Sequence, residues 1–198
     1  LHMLLRRSFI SACSTRARAR VKASTLTHSL PYSSTITTAS AECDSGSGSG
    51  DGKSGALFDR IAESFNRQGM MTMIGAKLVQ VGPGTCEILL PYSNNVTQQQ
   101  GGFHGGAIGA VADIAAGYAS LTVAHEGKEV TTIEYKINFL AACSGGQLRA
   151  EGRVVKAGKR VIITAADVYH EVMEGDKKGK RVHCAVMQQT IMAVEKKY

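Results

Sequence analysis

Apolar residues recur at two periods along the chain. Leu57, Ile61 and Phe65 stand four apart within Leu57–Gln68, which predicts an amphipathic helix able to lie on a sheet, and Gly69 stops it. Met71–Val81 and Thr85–Leu90 read as strands, and Gly82-Pro83-Gly84 between them places Pro then Gly where a type II turn wants them. Glu129–Leu140 alternates, with Ile133, Tyr135, Ile137 and Phe139 on one face and Thr132, Glu134, Lys136 and Asn138 on the other. Three more strands are expected at Gln147–Lys156, Arg160–Val172 and Arg181–Val194, separated by Ala157-Gly158-Lys159 and the charged turn Gly175–Lys180. Long strands joined by short turns imply an antiparallel sheet, because parallel neighbours need long crossovers.

Gly105–Ala124 has neither pattern, being apolar on every side. A helix without a polar face is buried in protein or in a membrane. Ala and Gly dominate where lipid favours Leu and Ile, and Asp113 near the centre would be costly there, so a membrane span is rejected. The expected fold class is α+β: an antiparallel sheet wrapped around one long central helix.

Charge then divides the chain. The formal net charge is +7, yet residues 1–41 hold six cations and no acid, leaving 17 cations against 16 acids in residues 42–198. A near-neutral remainder argues against a nucleic-acid-binding surface on the folded part. Arginine, serine and threonine without acids are the composition of an organellar transit peptide, so residues 1–41 are read as a disordered import signal, mitochondrial with plastid as the alternative. Residues 42–56 contain the Gly/Ser-rich run Asp44–Gly55 and read as a flexible linker, which leaves 57–198 as the folded domain. Gly52-Lys53-Ser54 is no phosphate loop, since the required earlier glycine is Ser47 and no strand precedes it. Five cysteines without a CxxC indicate neither a disulfide framework nor a zinc site, and no metal is expected.

Candidate chemistry concentrates around the central helix. At helical spacing Asp113 neighbours Gly109, Ala110, Ala116 and Gly117, all small, which leaves room beside its carboxylate. A structural carboxylate paired with a cation such as Lys136 is the alternative. Phe103-His104-Gly105-Gly106 stands at the helix start, where glycines admit close approach and unpartnered amides can bind a developing oxyanion. No Gly-x-Ser-x-Gly or HExxH occurs, which disfavours a serine hydrolase or a zinc hydrolase of those kinds.

His-Gly-Gly followed by a buried Asp nine residues after the His, between a hairpin and further antiparallel strands, resembles the hotdog-fold thioesterases of the PaaI type. The resemblance spans about residues 57–194 and is close in Gln99–Ser120, Glu134–Leu140 and Gly152–Lys159. It implies hydrolysis of acyl-CoA thioesters to free acid and CoA, in the setting of fatty acid metabolism, by a homodimer or homotetramer with sites between two subunits. No cofactor is implied, since CoA is part of the substrate. Asp113 matches the catalytic acid, acting as general base or nucleophile, and Gly105 the amide that polarises the thioester carbonyl. His104 would shape the loop. Gln98 stands where the best-known members carry Asn and would orient water or the carbonyl, with Gln99 as its rival. Gly106, Thr132, Glu134 and Phe139 would line the substrate channel, and Lys156, Lys159 and Arg160 around Gly158 would meet CoA phosphates. A non-catalytic acyl-CoA-binding protein and a hotdog hydratase or dehydratase are the alternatives.

Overall fold

The computed structural model describes residues 51–175 and 178–195; the basic segment 1–41 and residues 42–50 of the expected linker lie outside them. Helices α1 (Asp51–Asn66) and α2 (Gly69–Ile74) precede a hairpin of β1 (Lys77–Gly82) and β2 (Thr85–Pro91). A 3₁₀ turn at Asn94–Val96 leads to the long helix α3 (Gly105–Leu121). Strands β3 (Lys128–Phe139), β4 (Gln147–Ala157), β5 (Val161–Glu171) and β6 (Arg181–Glu195) follow. They form one antiparallel sheet in the order β1-β2-β4-β5-β6-β3, and α3 packs against β2 to β6 across one face of it. The fold class read from the sequence is therefore the one observed.

Strand alternation builds the core. Ile162, Thr164, Ala166, Val168 and His170 of β5 turn inward, as do Leu148 and Ala150 of β4 and Cys86, Ile88 and Leu90 of β2. They meet Val111, Ala112, Ala115, Ala116 and Ala119 of α3, all buried. Small helix residues offer little apolar area each, so the helix gains its packing by coming very close to the sheet. Gly152 marks the closest approach, where a Cβ would lie 2.3 Å from the Ala115 carbonyl. The opposite face of the sheet is charged, with Arg149 bridging Glu87 at 2.8 Å and Glu171 at 2.7 Å. A sheet with one apolar and one charged face suits a single covering layer.

Three local expectations need correction. Met71–Ile74 is helical, although the sequence analysis placed it in a strand running from Met71 to Val81. Met71 and Ile74, three apart, point inward, and Gly75 at φ +75° ends the helix before β1 begins. Short apolar runs fit both periods, and here the left-handed glycine decided. Helix α1 begins at Asp51, inside the segment expected to be linker, and its composition does not explain the extra turn. Strand β3 carries a bulge at Ile133, between Thr132 and Glu134, so its alternation is broken. A one-residue slip moves a side chain to the other face. Thr132 therefore joins Tyr135 on the helix side and leaves the face it was expected to share with Glu134, which binds Thr190 Oγ1 instead.

The hairpin turn behaves as expected, with Gly84 at φ +75° and Gly82 paired with Thr85. It also docks on the end of α3, where Thr122 Oγ1 accepts the Gly84 amide at 2.7 Å and donates to the Ala119 carbonyl at 2.7 Å. The close contact at Gly152 has a measurable consequence. Gly152→Ala is expected to cost about 1–3 kcal/mol or more, as overpacking does, read as a lower denaturant midpoint, and an unchanged midpoint would contradict this packing.

Candidate active site

Gly105, Gly109, Asp113 and Gly117 are spaced four apart and share one face of α3. Strand β3 runs along this row. A Cβ on Gly105 would lie 3.2 Å from the Phe139 ring, one on Gly109 would lie 3.6 Å from the Tyr135 hydroxyl, and Thr132 reaches Asp113. The small residues admit the strand and leave space around the one carboxylate.

Asp113 Oδ1 accepts a hydrogen bond from Thr132 Oγ1 at 2.8 Å and another from Gln189 Nε2. Gln189 Nε2 also donates to Thr132 Oγ1 at 2.8 Å, and Thr164 Oγ1 donates to Gln189 Oε1 at 3.1 Å. Thr164 and Gln189 are buried, so this is a polar network set into the core. Burial raises the Asp113 pKa above the usual carboxylate value, while the bonds from Thr132 and Gln189 oppose the rise. Among the described residues nothing donates to Oδ2, and Asp113 lines a cavity of about 170 Å³. One oxygen is held and the other is available. The alternative pairing of Asp113 with Lys136 is absent, since Lys136 is exposed and the partners are neutral donors.

The start of α3 forms a second centre. His104 is the N-cap, and its Nδ1 accepts the Gly106 amide at 2.8 Å while its carbonyl accepts the amides of Ala107 and Ile108. That leaves the Gly105 amide as the orphan donor of the first turn among the described residues. Gly105 lines a cavity of about 340 Å³ with Gln98, Gly102, Ile108, Phe139 and Cys143. Gln98 sits in a tight turn, and its Oε1 accepts the Gln100 amide at 2.6 Å. Its Nε2, lying 3.2 Å from where a Gly102 Cβ would be, is thereby left as a donor. His104 thus shapes the loop, and Gln98 and Gly105 offer two donors.

These centres do not meet within one chain. Gly105 and Asp113 are eight residues apart on a helix, about 12 Å of rise, and line different cavities. Of the remaining sequence candidates, Thr132 belongs to the Asp113 centre and Phe139 to the Gly105 centre, Gly106 gives its amide to the His104 cap, and Gln99 and Glu134 are exposed. Gly158 and Lys159 line a third cavity, of about 430 Å³, beside Val123, Ala124 and His125, with Lys156 and Arg160 exposed on the same hairpin. Gln189 and Thr164 were missed by the sequence reading. Their signal was available as polar residues at inward positions of apolar strands, Gln189 between Met187 and Ile191 and Thr164 between Ile162 and Ala166.

The network makes a direct prediction. By carboxyl-carbon NMR, Asp113 should titrate above the range of ordinary exposed aspartates. Gln189→Leu should raise the midpoint further, because it removes a donor that favours the anion. A midpoint that falls or stays put in the variant would contradict the arrangement.

Comparison with known proteins agrees with this architecture. Residues 100–175 match the family model described as the thioesterase superfamily. A thioesterase family protein from Silicibacter pomeroyi superposes with a TM-score of 0.66 at 32% identity, over 71% of this chain and 99% of that one. The Escherichia coli PaaI protein of the phenylacetic acid degradation operon superposes at 0.60 with 16% identity, over 71% and 95%, a likeness of fold. A Saccharolobus solfataricus protein named as a candidate esterase is 34% identical over 90 residues, 46% of this chain and 64% of that protein, so the match spans less than two thirds of its length. With the Silicibacter pomeroyi thioesterase 32% identical and covered almost end to end, and the helix, sheet and His-Gly-Gly loop in place, the chain belongs to the thioesterase superfamily and has its hotdog fold.

Proposed function

We propose that this protein hydrolyses acyl-CoA thioesters to free acid and CoA, as a PaaI-type enzyme whose site is completed by two copies of the chain. The observation that carries the reading is Asp113, a half-buried carboxylate with one oxygen held by Thr132 and Gln189 and the other free beside a cavity. The thioester carbonyl lies against the Gly105 amide and Gln98 Nε2, where negative charge develops on its oxygen. Removing one such donor elsewhere costs about 2.7–4 kcal/mol of barrier. Asp113 Oδ2 takes the proton from an attacking water and the CoA thiolate departs to leave the free acid, or Oδ2 attacks the carbonyl carbon itself, the thiolate departs, and water then hydrolyses the mixed anhydride to free acid and Asp113. Lys156, Lys159 and Arg160, with the Gly158 turn between them, would meet the CoA phosphates.

The separation along α3 requires the second copy. A reacting carbonyl must lie about 3 Å from both base and oxyanion donor, and one helix holds them about 12 Å apart. Strand β3 is a sheet edge on which Ile133, Tyr135 and Phe139 are exposed, with Leu140 exposed just after it. An unpaired edge with exposed apolar side chains invites pairing. Two β3 strands joined antiparallel about an axis near Tyr135 would exchange the two ends of the row. Gly105 of one copy would then face Asp113 of the other, by the self-complementarity of a twofold interface.

Purified protein should release free thiol from acyl-CoA, and Asp113→Asn should lower kcat by about 10²–10⁴-fold, the range for a general base. Equal turnover in that variant would sink the mechanism, and tight acyl-CoA binding without turnover in the parent would favour the non-catalytic binder. Mixing Asp113→Asn chains with chains whose Gly105 is replaced by Trp should restore part of the activity that neither has alone; failure to complement, or an active monomer by light scattering, rejects the shared site. Residues 1–41 act as an import signal in this reading. Residues 1–56 fused to a fluorescent protein should reach mitochondria, and plastid or cytosolic fluorescence would refute it.

A further inference from the structure

Cys86, Cys143 and Cys184 are all free thiols, and two of them are placed against each other. Strand β6 carries a bulge at Cys184, since Val168 of β5 pairs with Ala185 and Tyr169 with His183, which leaves Cys184 opposite no residue. A bulge re-aims the side chain it carries, and Cys184 and Ala185 are both fully buried although consecutive. The Cys184 carbonyl accepts the amides of Leu140 at 2.8 Å and Ala141 at 3.4 Å. The loop leaving β3 is thereby tied to the bulge, and it brings the Cys143 thiol into hydrogen-bonding contact with that of Cys184. Cys184 Sγ has a second acceptor in the Val168 carbonyl at 3.3 Å.

The two thiols are unequal. Cys184 is wholly enclosed, whereas Cys143 keeps 8% exposure and lines two cavities, the one of about 340 Å³ that holds Gln98 and Gly105 and another of about 380 Å³ beside Ser144 and His170. The bond from Cys184 holds the Cys143 pKa below the usual thiol value, against the pull of burial, and so favours the thiolate there. Cys86 is the contrast, a thiol on β2 that burial and the neighbouring Glu87 push up to about 12. A reachable thiolate beside a second thiol is the arrangement of a redox-sensitive pair.

We propose that Cys143 and Cys184 form a reversible oxidation site, closed to a disulfide by hydrogen peroxide and reopened by thiol reductants, which controls the loop carrying Gln98 and Gly105. The Cys143 thiolate attacks one peroxide oxygen, the O–O bond breaks, and hydroxide leaves a sulfenic acid on Cys143. Cys184 then attacks that sulfur, the S–O bond breaks as the S–S bond forms, and the thiol protons leave in the water produced. Two thiols are oxidised and one peroxide is reduced to two waters. The bond draws the sulfurs to about 2.05 Å. Cys184 is fixed within the sheet, so the Cys143 loop, flanked by exposed Ala142 and Ser144, must give. The Cys143 carbonyl accepts the Phe103 amide at 2.9 Å and lies 3.1 Å from where a Gly102 Cβ would be. Gly102 and Phe103 stand between Gln98 and Gly105, so the movement reaches both proposed oxyanion donors. The bridge stands on the thiol geometry alone; its effect on turnover rests on the thioesterase reading above.

The test treats the reduced full chain with a pulse of hydrogen peroxide, alkylates the remaining thiols under denaturing conditions and maps the peptides by mass. A Cys143–Cys184 cross-linked peptide should appear while Cys86 stays alkylated, and dithiothreitol should remove it. Hydrolysis of acyl-CoA, followed by loss of thioester absorbance, should fall about tenfold or more with the bridge and return with the reductant, since a misplacement of about 1 Å costs on the order of 10²-fold. Cys184→Ala should hydrolyse at the parent rate, form no bridge and lose the inactivation that reductant reverses. A parent in which both thiols remain alkylated, a bridge to Cys86 instead, or a bridge that leaves turnover unchanged overturns this inference while hydrolysis stands. Absence of hydrolysis in the reduced protein overturns the thioesterase reading and the effect on turnover with it, and the peptide map then decides the bridge by itself.

Discussion

A half-buried carboxylate in an otherwise uncharged helix is the constraint on which the rest of the structure turns. Helix α3 is covered by the sheet across its Ala and Gly faces, so Asp113 must find its donors within the core or give up its charge. Thr132 and Gln189 supply them on one oxygen, and Thr164 holds Gln189 in place. The bulge at Ile133 turns Thr132 towards the helix; in a regular strand it would share a face with Glu134. A defect in one strand and a polar residue in the next therefore serve a single charge on α3.

The same helix divides the labour of the candidate site along its axis. Its first turn leaves the Gly105 amide without an acceptor because His104 has taken Gly106 and capped the following two amides. Donor and carboxylate then stand two turns apart, too far to act on one atom. The row of glycines that keeps β3 close to the helix also keeps Phe139 and Tyr135 at an exposed sheet edge. Close packing within one copy and the pairing with a second copy proposed above draw on the same feature. On the far side of Asp113, Gly117 continues the row and lines the Asp113 cavity with Ser64, Gln68 and Tyr118.

Much of this was legible in the chain. The helix beginning at Gly105 was marked by its glycines, its apolar run and the single Asp, and the strands from Thr85 onward end within a residue or two of where alternation and turns placed them. Gly84 adopts the positive φ that its turn demanded. Where the reading failed, two local signals were equally good. Met71–Ile74 fits either period, and the left-handed Gly75 together with the burial of Met71 and Ile74 favours the helix. Thr132 was assigned to the wrong face because a bulge leaves no mark in the alternation of Thr132, Ile133 and Glu134 themselves.

The sequence by itself determined the layers of the fold and the two chemical ends of α3, because helix and strand periods, turn glycines and the lone Asp113 act over a few neighbouring residues. Only the tertiary structure decided how that carboxylate is held and what lies beyond it. Gln189 is 76 residues from Asp113, and Gln68 is 50 from Tyr118. Such pairs are brought together by strand register and by the lay of α1 on the core. Register and packing are set by the whole sheet at once, so no local pattern records which polar residues they will join.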